Sequence, residues 1–151
     1  MNQNPFLKNP LQDFSISRSN ERAKNWGVLV PNDSTQRIYV WFDALNIYRS
    51  GVDAQTWPAD LHIIGKGIIR FHTVYWPAFL LSAGLDLPRA VMAHGYLTVD
   101  GQKMSKTIGN IIDPLEIINK YGIDALRYYL LREIPPFDDG DFSYRRLDEV
   151  Y

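Results

Sequence analysis

Apolar positions are sparse at the start of the chain, where Pro5, Pro10, Pro31 and the run Asn32-Asp33-Ser34 punctuate a polar stretch, so residues 1–36 are expected to be an irregular lead-in. The pattern then changes. RIYVWFDAL, residues 37–45, begins with a continuous β-branched and aromatic run, as expected of a strand buried on both faces. Asp43 is placed to cap a short helix that reaches Tyr48 and stops at Ser50-Gly51. LHIIG, 61–65, predicts a second buried strand. After it Ile68, Phe71, His72, Tyr75, Trp76, Phe79, Leu80 and Ala83 recur at steps of three and one, the apolar stripe of a helix that Pro77 should kink. RAVMAHG, 89–95, predicts a third strand, and a strand-helix-strand order with a right-handed crossover implies parallel pairing.

The remainder reads as helical. Asp113-Pro114-Leu115-Glu116 combines an N-cap, a proline at the first helical position and a glutamate at the third, and Lys120-Tyr121-Gly122 supplies a stop, which predicts a helix over 114–121. Asp124 is expected to cap ALRYYLLRE, which Pro135-Pro136 ends. The acidic FDDGDF that follows has Gly140 and Phe142 where a calcium loop needs oxygen ligands, so it reads as a turn. Ser143 is expected to cap a last helix, YRRLDEVY. The fold class is therefore α/β.

Composition narrows the function without choosing it. With 151 residues and 46% hydrophobic content, one core is expected. Sixteen basic residues against 17 acidic ones leave a formal charge of −1, so any phosphate site must be local. The absence of cysteine excludes disulfides and thiolate zinc sites within this chain and fits a reducing compartment. No apolar run approaches the roughly 18 residues of a membrane span, and MNQNPFLKNPLQD lacks the apolar core of a signal peptide, so no membrane partner is expected and a cytoplasmic location is.

Parallel α/β sheets bind ligands at the carboxyl ends of their strands. Those ends carry Trp41, Asp43, Ala44 and Tyr48; then Gly65, Lys66, Gly67, Ile68, Phe71 and His72; then His94, Gly95 and Tyr96, which on this reading share one rim. Singly, Trp41 and Tyr48 are better explained as core aromatics and His72 as a hydrogen-bonded core histidine. Gly65-Lys66-Gly67 lacks the remaining residues of a phosphate-binding P-loop. In GQKMSKT, 101–107, Lys103 and Lys106 stand between Gly101 and Gly109, which fits either a solvated turn or a flexible loop that closes over an anion.

YVWFDALNIY (39–48), HIIGKGIIRFHTVYWPAFLLSAGL (62–85), HGYLTVDGQKMSKTIGNIIDP (94–114) and YGIDALRYYLLREIPPFDDGDFS (121–143) together resemble the methionyl-tRNA synthetases, which are class I aminoacyl-tRNA synthetases. The likeness runs from Leu11 onward and is closer to the bacterial-type members. It implies the second half of a Rossmann-like parallel sheet over 37–100, followed over 101–151 by the KMSK loop and the start of the helical region that contacts the tRNA stem. It also implies activation of methionine with ATP and Mg²⁺ to methionyl-adenylate, and transfer to tRNA(Met). By the same resemblance Lys103, Ser105 and Lys106 act on the triphosphate, with Gly101 and Gly109 as hinges, and His94 and Gly95 lie by the nucleotide. Trp41, Ala44, Tyr48, Ile68, Phe71 and His72 surround the methionine side chain, and Arg18 assists activation. Two features depart from the family: Gly67 replaces an aspartate, and there is no H-x-G-H tetrapeptide, so an amino-terminal half becomes an expected partner. The alternatives are a class I synthetase for another apolar amino acid, such as leucine or valine, and a truncated non-catalytic paralogue that binds nucleotide, tRNA or a partner chain.

Overall fold

The computed structural model describes residues 13–151, so Pro5, Pro10 and the start of the likeness at Leu11 lie outside the described residues. The chain divides into two compact units, Met1–Trp57 and Pro58–Tyr151.

In the first unit, part of the expected lead-in is ordered sheet. Strands β1 (Ser17–Ser19), β2 (Leu29–Val30) and β3 (Asp33–Ile38) pair antiparallel in the order β1-β3-β2, with Arg18 opposite Arg37. Val30 faces Asp33 across the turn Pro31-Asn32, where proline presets one dihedral and Asn32 takes φ 64°. Asp33 then fixes the strand entry by accepting from the Thr35 N–H (2.9 Å) and hydroxyl (2.6 Å). Helix α1 (Val40–Ser50) follows at once, so the strand expected at the start of 37–45 gives way to helix after Ile38, earlier than the expected cap at Asp43. The apolar run is ambiguous in period, since Trp41, Leu45 and Tyr48 also recur at helical spacing, and burial of Leu45 to 1% exposure favours the helix. Its N-cap is the extended Tyr39; Asp43 sits in the first turn. The helix stops as read, at Gly51.

In the second unit β4 (His62–Gly65) and β5 (Val91–His94) pair parallel, from His62 opposite Val91 to Gly65 opposite His94. The parallel pairing read from the sequence is present, but β3 belongs to another sheet, so the rim is formed by two strands and not three. The crossover is not one kinked helix. It is a 3-10 turn (Lys66–Ile68), a π-helical segment (Phe71–Tyr75) and helix α2 (Trp76–Ser82). The Trp76 backbone N–H donates to the carbonyl of Phe71, five residues back, and the widened turn stands where the ring of Pro77 would crowd the carbonyl four residues before it.

A second sheet has the order β7-β6-β8, made from β6 (Leu97–Val99), β7 (Gln102–Lys103) and β8 (Gly140–Phe142). Strands β6 and β7 are antiparallel; β6 and β8 are parallel, with Leu97 opposite Gly140 and Val99 opposite Phe142. FDDGDF is thus a turn only in its first half. Helix α3 (Pro114–Tyr121) has the expected bounds, and the Asp113 carboxylate accepts from the Leu115 N–H at 2.8 Å. Helix α4 (Ile123–Glu133) starts directly after Gly122, which places Asp124 inside its first turn and not at the cap. Ser143 caps α5 (Tyr144–Val150) as expected.

Ile117, Tyr121, Leu126, Tyr129, Phe142 and Leu147 form the core of this region, with Val99 of β6 packed against it. The fully buried Tyr129 lies 5.1 Å from the Phe142 ring and accepts from the Ser143 N–H at 2.9 Å, so one side chain joins α4, β8 and the start of α5. Tyr121 donates to Asp148 at 2.6 Å, which ties α3 to α5. No helix among the described residues is long and apolar enough to cross a membrane. Leu147 is completely buried, and Leu147→Ala is expected to destabilise this unit by about 2–5 kcal/mol in urea denaturation, the range for deleting a buried leucine side chain.

Candidate functional site

Of the two lysines of GQKMSKT, Lys103 stands on a hairpin and Lys106 in the turn that follows it. Val99 and Gln102 face each other, so Asp100-Gly101 is a two-residue loop, and both residues take positive φ (52° and 72°), as a type I′ turn requires. The Asp-Gly pair was the available sequence signal for this hairpin. Gly101 was expected to be a hinge, yet its N–H is held by the Asp141 carboxylate at 2.8 Å. Lys103 ends β7 opposite Thr98. Beyond it Asn110 folds the chain back: its side-chain oxygen accepts from the Ser105 N–H (2.8 Å), and its side-chain NH₂ donates to the Lys103 carbonyl (3.3 Å). The Ser105 hydroxyl oxygen accepts from the Thr107 N–H at 3.2 Å, which leaves its proton for a further acceptor. Lys103 and Lys106 are both exposed.

The carboxyl ends of β4 and β5 adjoin this hairpin through Tyr96. Lys66 pairs with the two Asp139 carboxylate oxygens at 2.7 and 2.8 Å, and its ammonium lies 4.8 Å from the Tyr96 ring centre. The Lys103 ammonium lies 5.8 Å from the same ring. Two cations at that distance from one aromatic ring are both attracted by its quadrupole. Asp139 also accepts from the Tyr96 N–H at 2.7 Å. A Cβ on Gly67 would overlap the Tyr96 hydroxyl, and one on Gly95 would overlap the Asp138 carbonyl. His94, exposed, has Nδ1 2.8 Å from the Gly95 carbonyl oxygen.

Asp139 and Asp141 belong to this cluster without a local sequence signal, because the amides they hold lie 43 and 40 residues away. Asp141 accepts from the Thr98 hydroxyl at 2.6 Å as well as from Gly101. Both carboxyl groups are held below the usual aspartate range. For Asp139 the main cause is the hydrogen bond from Lys66, followed by the Tyr96 N–H; for Asp141 it is the Thr98 hydroxyl, followed by the Gly101 N–H.

The residues expected around methionine fall in both units. In the second, Ile68, Phe71 and His72 follow β4; His72 is 1% exposed with Nδ1 2.9 Å from the Ile68 carbonyl oxygen, and the His62 ring lies 6.0 Å away. Burial, and next the neighbouring His72, lower the pKa of His62. In the first unit Trp41, Ala44 and Tyr48 share one face of α1 at three- and four-residue steps. Arg18 projects from β1 with its guanidinium carbon 3.8 Å from the Tyr39 ring centre, donates to the Ser15 and Ser17 carbonyls at 2.8 and 2.7 Å, and lines a cleft with Arg22, Trp26 and Asp43.

The family model for class I tRNA synthetases (M) matches residues 1–151. The chain belongs to that family. The methionine–tRNA ligase of Nostoc sp. is 52% identical over 157 aligned residues, covering 96% of this chain and 29% of the relative. The chloroplastic and mitochondrial methionine–tRNA ligase of Arabidopsis thaliana is 48% identical, covering 96% of this chain and 25% of the relative. Among solved structures, the Mycobacterium tuberculosis methionyl-tRNA synthetase in complex with methionyl-adenylate is 47% identical with a TM-score of 0.87, over 96% of this chain and 30% of that one. The free form from the same organism gives a TM-score of 0.77 at 44% identity, over 95% of this chain and 28% of that one. The chain therefore spans between a quarter and a third of the length of these relatives.

In this synthetase-family chain the depressed aspartate pKa values have a pH consequence. A carboxyl group whose folded pKa lies below its unfolded one contributes stability that is present above the ordinary carboxylate range and is lost as pH falls through the folded value. Carboxyl-carbon NMR titration is expected to show Asp139 and Asp141 titrating below exposed aspartates, with the Gly101 amide losing hydrogen-exchange protection over the same acidic range.

Proposed function

We propose that this chain is part of a methionine–tRNA ligase, which joins methionine to the α-phosphate of ATP and passes the methionyl group to tRNA(Met). The observation that carries the reading is the display of Lys103 on an anchored hairpin, with Lys106 in the turn after it, beside the carboxyl ends of a parallel strand pair, in a chain 47% identical to a synthetase solved with methionyl-adenylate.

In the first step a methionine carboxylate oxygen attacks the α-phosphorus, the bond from that phosphorus to the bridging oxygen breaks, and pyrophosphate leaves with the bonding pair. Negative charge grows on the departing phosphoryl oxygens. Ammonium groups that meet this charge bind the transition state more tightly than the ground state. Lys106 serves the leaving pyrophosphate, Lys103 and Ser105 support the triphosphate, and His94 and Gly95 border the nucleotide. Mg²⁺ is counted with the ATP, whose phosphate oxygens hold it. Arg18 offers a fixed positive charge to carboxylate or phosphate.

In the first unit Trp41, Ala44 and Tyr48 present aromatic and small surfaces to the thioether, and in the second Ile68, Phe71 and His72 do so; sulfur against an aromatic edge contributes about 0.3–1.5 kcal/mol per contact. The polypeptide that carries H-x-G-H is assigned as the partner that grips ATP from the other side. Helices α3 to α5 are assigned to the tRNA stem, and the cytoplasm is the compartment assigned.

Two measurements test the reading. In the enzyme assembled with that partner, Lys106→Ala is expected to slow methionine-dependent ATP–pyrophosphate exchange by ~10²–10³, the scale of losing one preorganised donor to a developing charge, with little change in methionine affinity; an unchanged rate rejects the role. Trp41→Ala and His72→Ala are each expected to weaken methionine binding and to spare ATP binding in equilibrium titrations, and a loss confined to ATP refutes the assignment of those side chains.

A further inference from the structure

The strand that leads into the two-lysine hairpin is held at both ends from one distant segment. Asp139 receives the Tyr96 N–H at its start, and Asp141 receives the Gly101 N–H at the turn together with the Thr98 hydroxyl midway. The Gly140 N–H adds a bond to the Tyr96 carbonyl at 3.0 Å. These two carboxylates lie 43 and 40 residues from the amides that they hold. Gly140 between them is buried, and a Cβ there would press on the Ile134 side chain at 2.6 Å, so the segment has no slack against the end of α4. Phe142, one residue further, is 3% exposed within the helical core. The backbone amides at the two ends of Tyr96–Gly101 are thus referred to a packed core. Asp139 extends the same hold to Lys66, at the end of β4, and through Tyr96 sets that lysine and Lys103 near one ring.

We propose that Asp139 and Asp141 are positioning residues for the two-lysine hairpin: Asp141 fixes the turn that orients β7 and Lys103, and Asp139 fixes the start of the strand and couples it to Lys66. Neither side chain needs to touch a substrate. Their effect is on where Lys103 sits, and where the turn carrying Lys106 begins, when an anion arrives, since a displacement of about 1 Å at a reacting centre can cost up to ~10²-fold in rate. That consequence for catalysis rests on the ligase reading; the clamp itself does not.

The test uses the chain assembled with the H-x-G-H polypeptide assigned as its partner, and two readouts. Trypsin cleaves after Lys103 and Lys106, so the rate of cleavage there, divided by the rate after Arg127 within α4, reports local opening of the hairpin without any assumption about activity. Asp141→Ala and Asp139→Ala are expected to raise that ratio by about tenfold, while Asp141→Asn, which keeps an oxygen acceptor in place, stays within about threefold of the parent. In pyrophosphate exchange both alanine variants are expected to lower kcat by roughly 10–10²-fold and to leave KM for methionine unchanged. An unchanged cleavage ratio in both alanine variants overturns the proposal, as does equal acceleration after Arg127, which would mean general unfolding. Asp141→Asn as labile as Asp141→Ala also overturns it, because the oxygen acceptor would then not be what holds the turn. A raised ratio supports the clamp even where the parent protein shows no exchange, an outcome that instead refutes the ligase reading.

Discussion

The parallel pairing of Leu97–Val99 with Gly140–Phe142 is the constraint on which the second unit depends. It joins segments some forty residues apart, and a parallel pair cannot be closed by a tight turn, so the chain between them has to travel out and return. That excursion contains the two-lysine loop, α3 and α4. Closing it is entropically unfavourable and needs compensation from burial. Phe142 provides this by inserting β8 among Tyr129, Leu126 and Leu147, so the strand pairing and the helical core form together. The hairpin carrying Lys103 is an edge extension of the same sheet, and its position is inherited from that core.

Charge follows a different logic. The Lys66–Asp139 pair is about half exposed on both sides, where solvent and salt screen the attraction strongly, so it adds little to stability. Its value is geometric. One Asp139 oxygen also accepts the Tyr96 N–H, so the pair sets the end of β4 against the start of β6. Lys66 is thereby partly neutralised, whereas Lys103 approaches the same ring without a carboxylate partner among the described residues. A cation held near a ring and facing solvent is available to an arriving anion, and one already bound to a carboxylate is less so.

What could be read from the sequence was what local chemistry decides. Helix α3 was legible to the residue because Asp113, Pro114 and Gly122 each act within one turn of its ends. The pairing of β4 with β5 was legible because both are continuous apolar runs. The boundary at Ile38 was not, because Ile38 to Phe42 is apolar at every spacing and only the pairing of β3 with β1 shows where the strand stops. Strands of two or three residues such as β6, β7 and β8 carry no period at all. For the site, the lysines and histidines announced themselves by type, while their supports did not: Asp139, Asp141 and Asn110 gain meaning only from amides they reach across the fold or around the loop.

Position 67 is physically coupled to its surroundings. A Cβ there would occupy the place of the Tyr96 hydroxyl, so any side chain at 67 requires the tyrosine to move. The Tyr96 ring is what Lys66 and Lys103 share, and its backbone N–H is what Asp139 holds. Glycine at 67 and tyrosine at 96 are therefore one arrangement, in which the space of a side chain on the strand-end loop is given to a ring from the hairpin. At this rim the carboxylate beside Lys66 is that of Asp139, which immediately precedes β8. The segment that supplies this charge also fixes the turn that leads to Lys103, so the two cations near the Tyr96 ring depend on one stretch of chain.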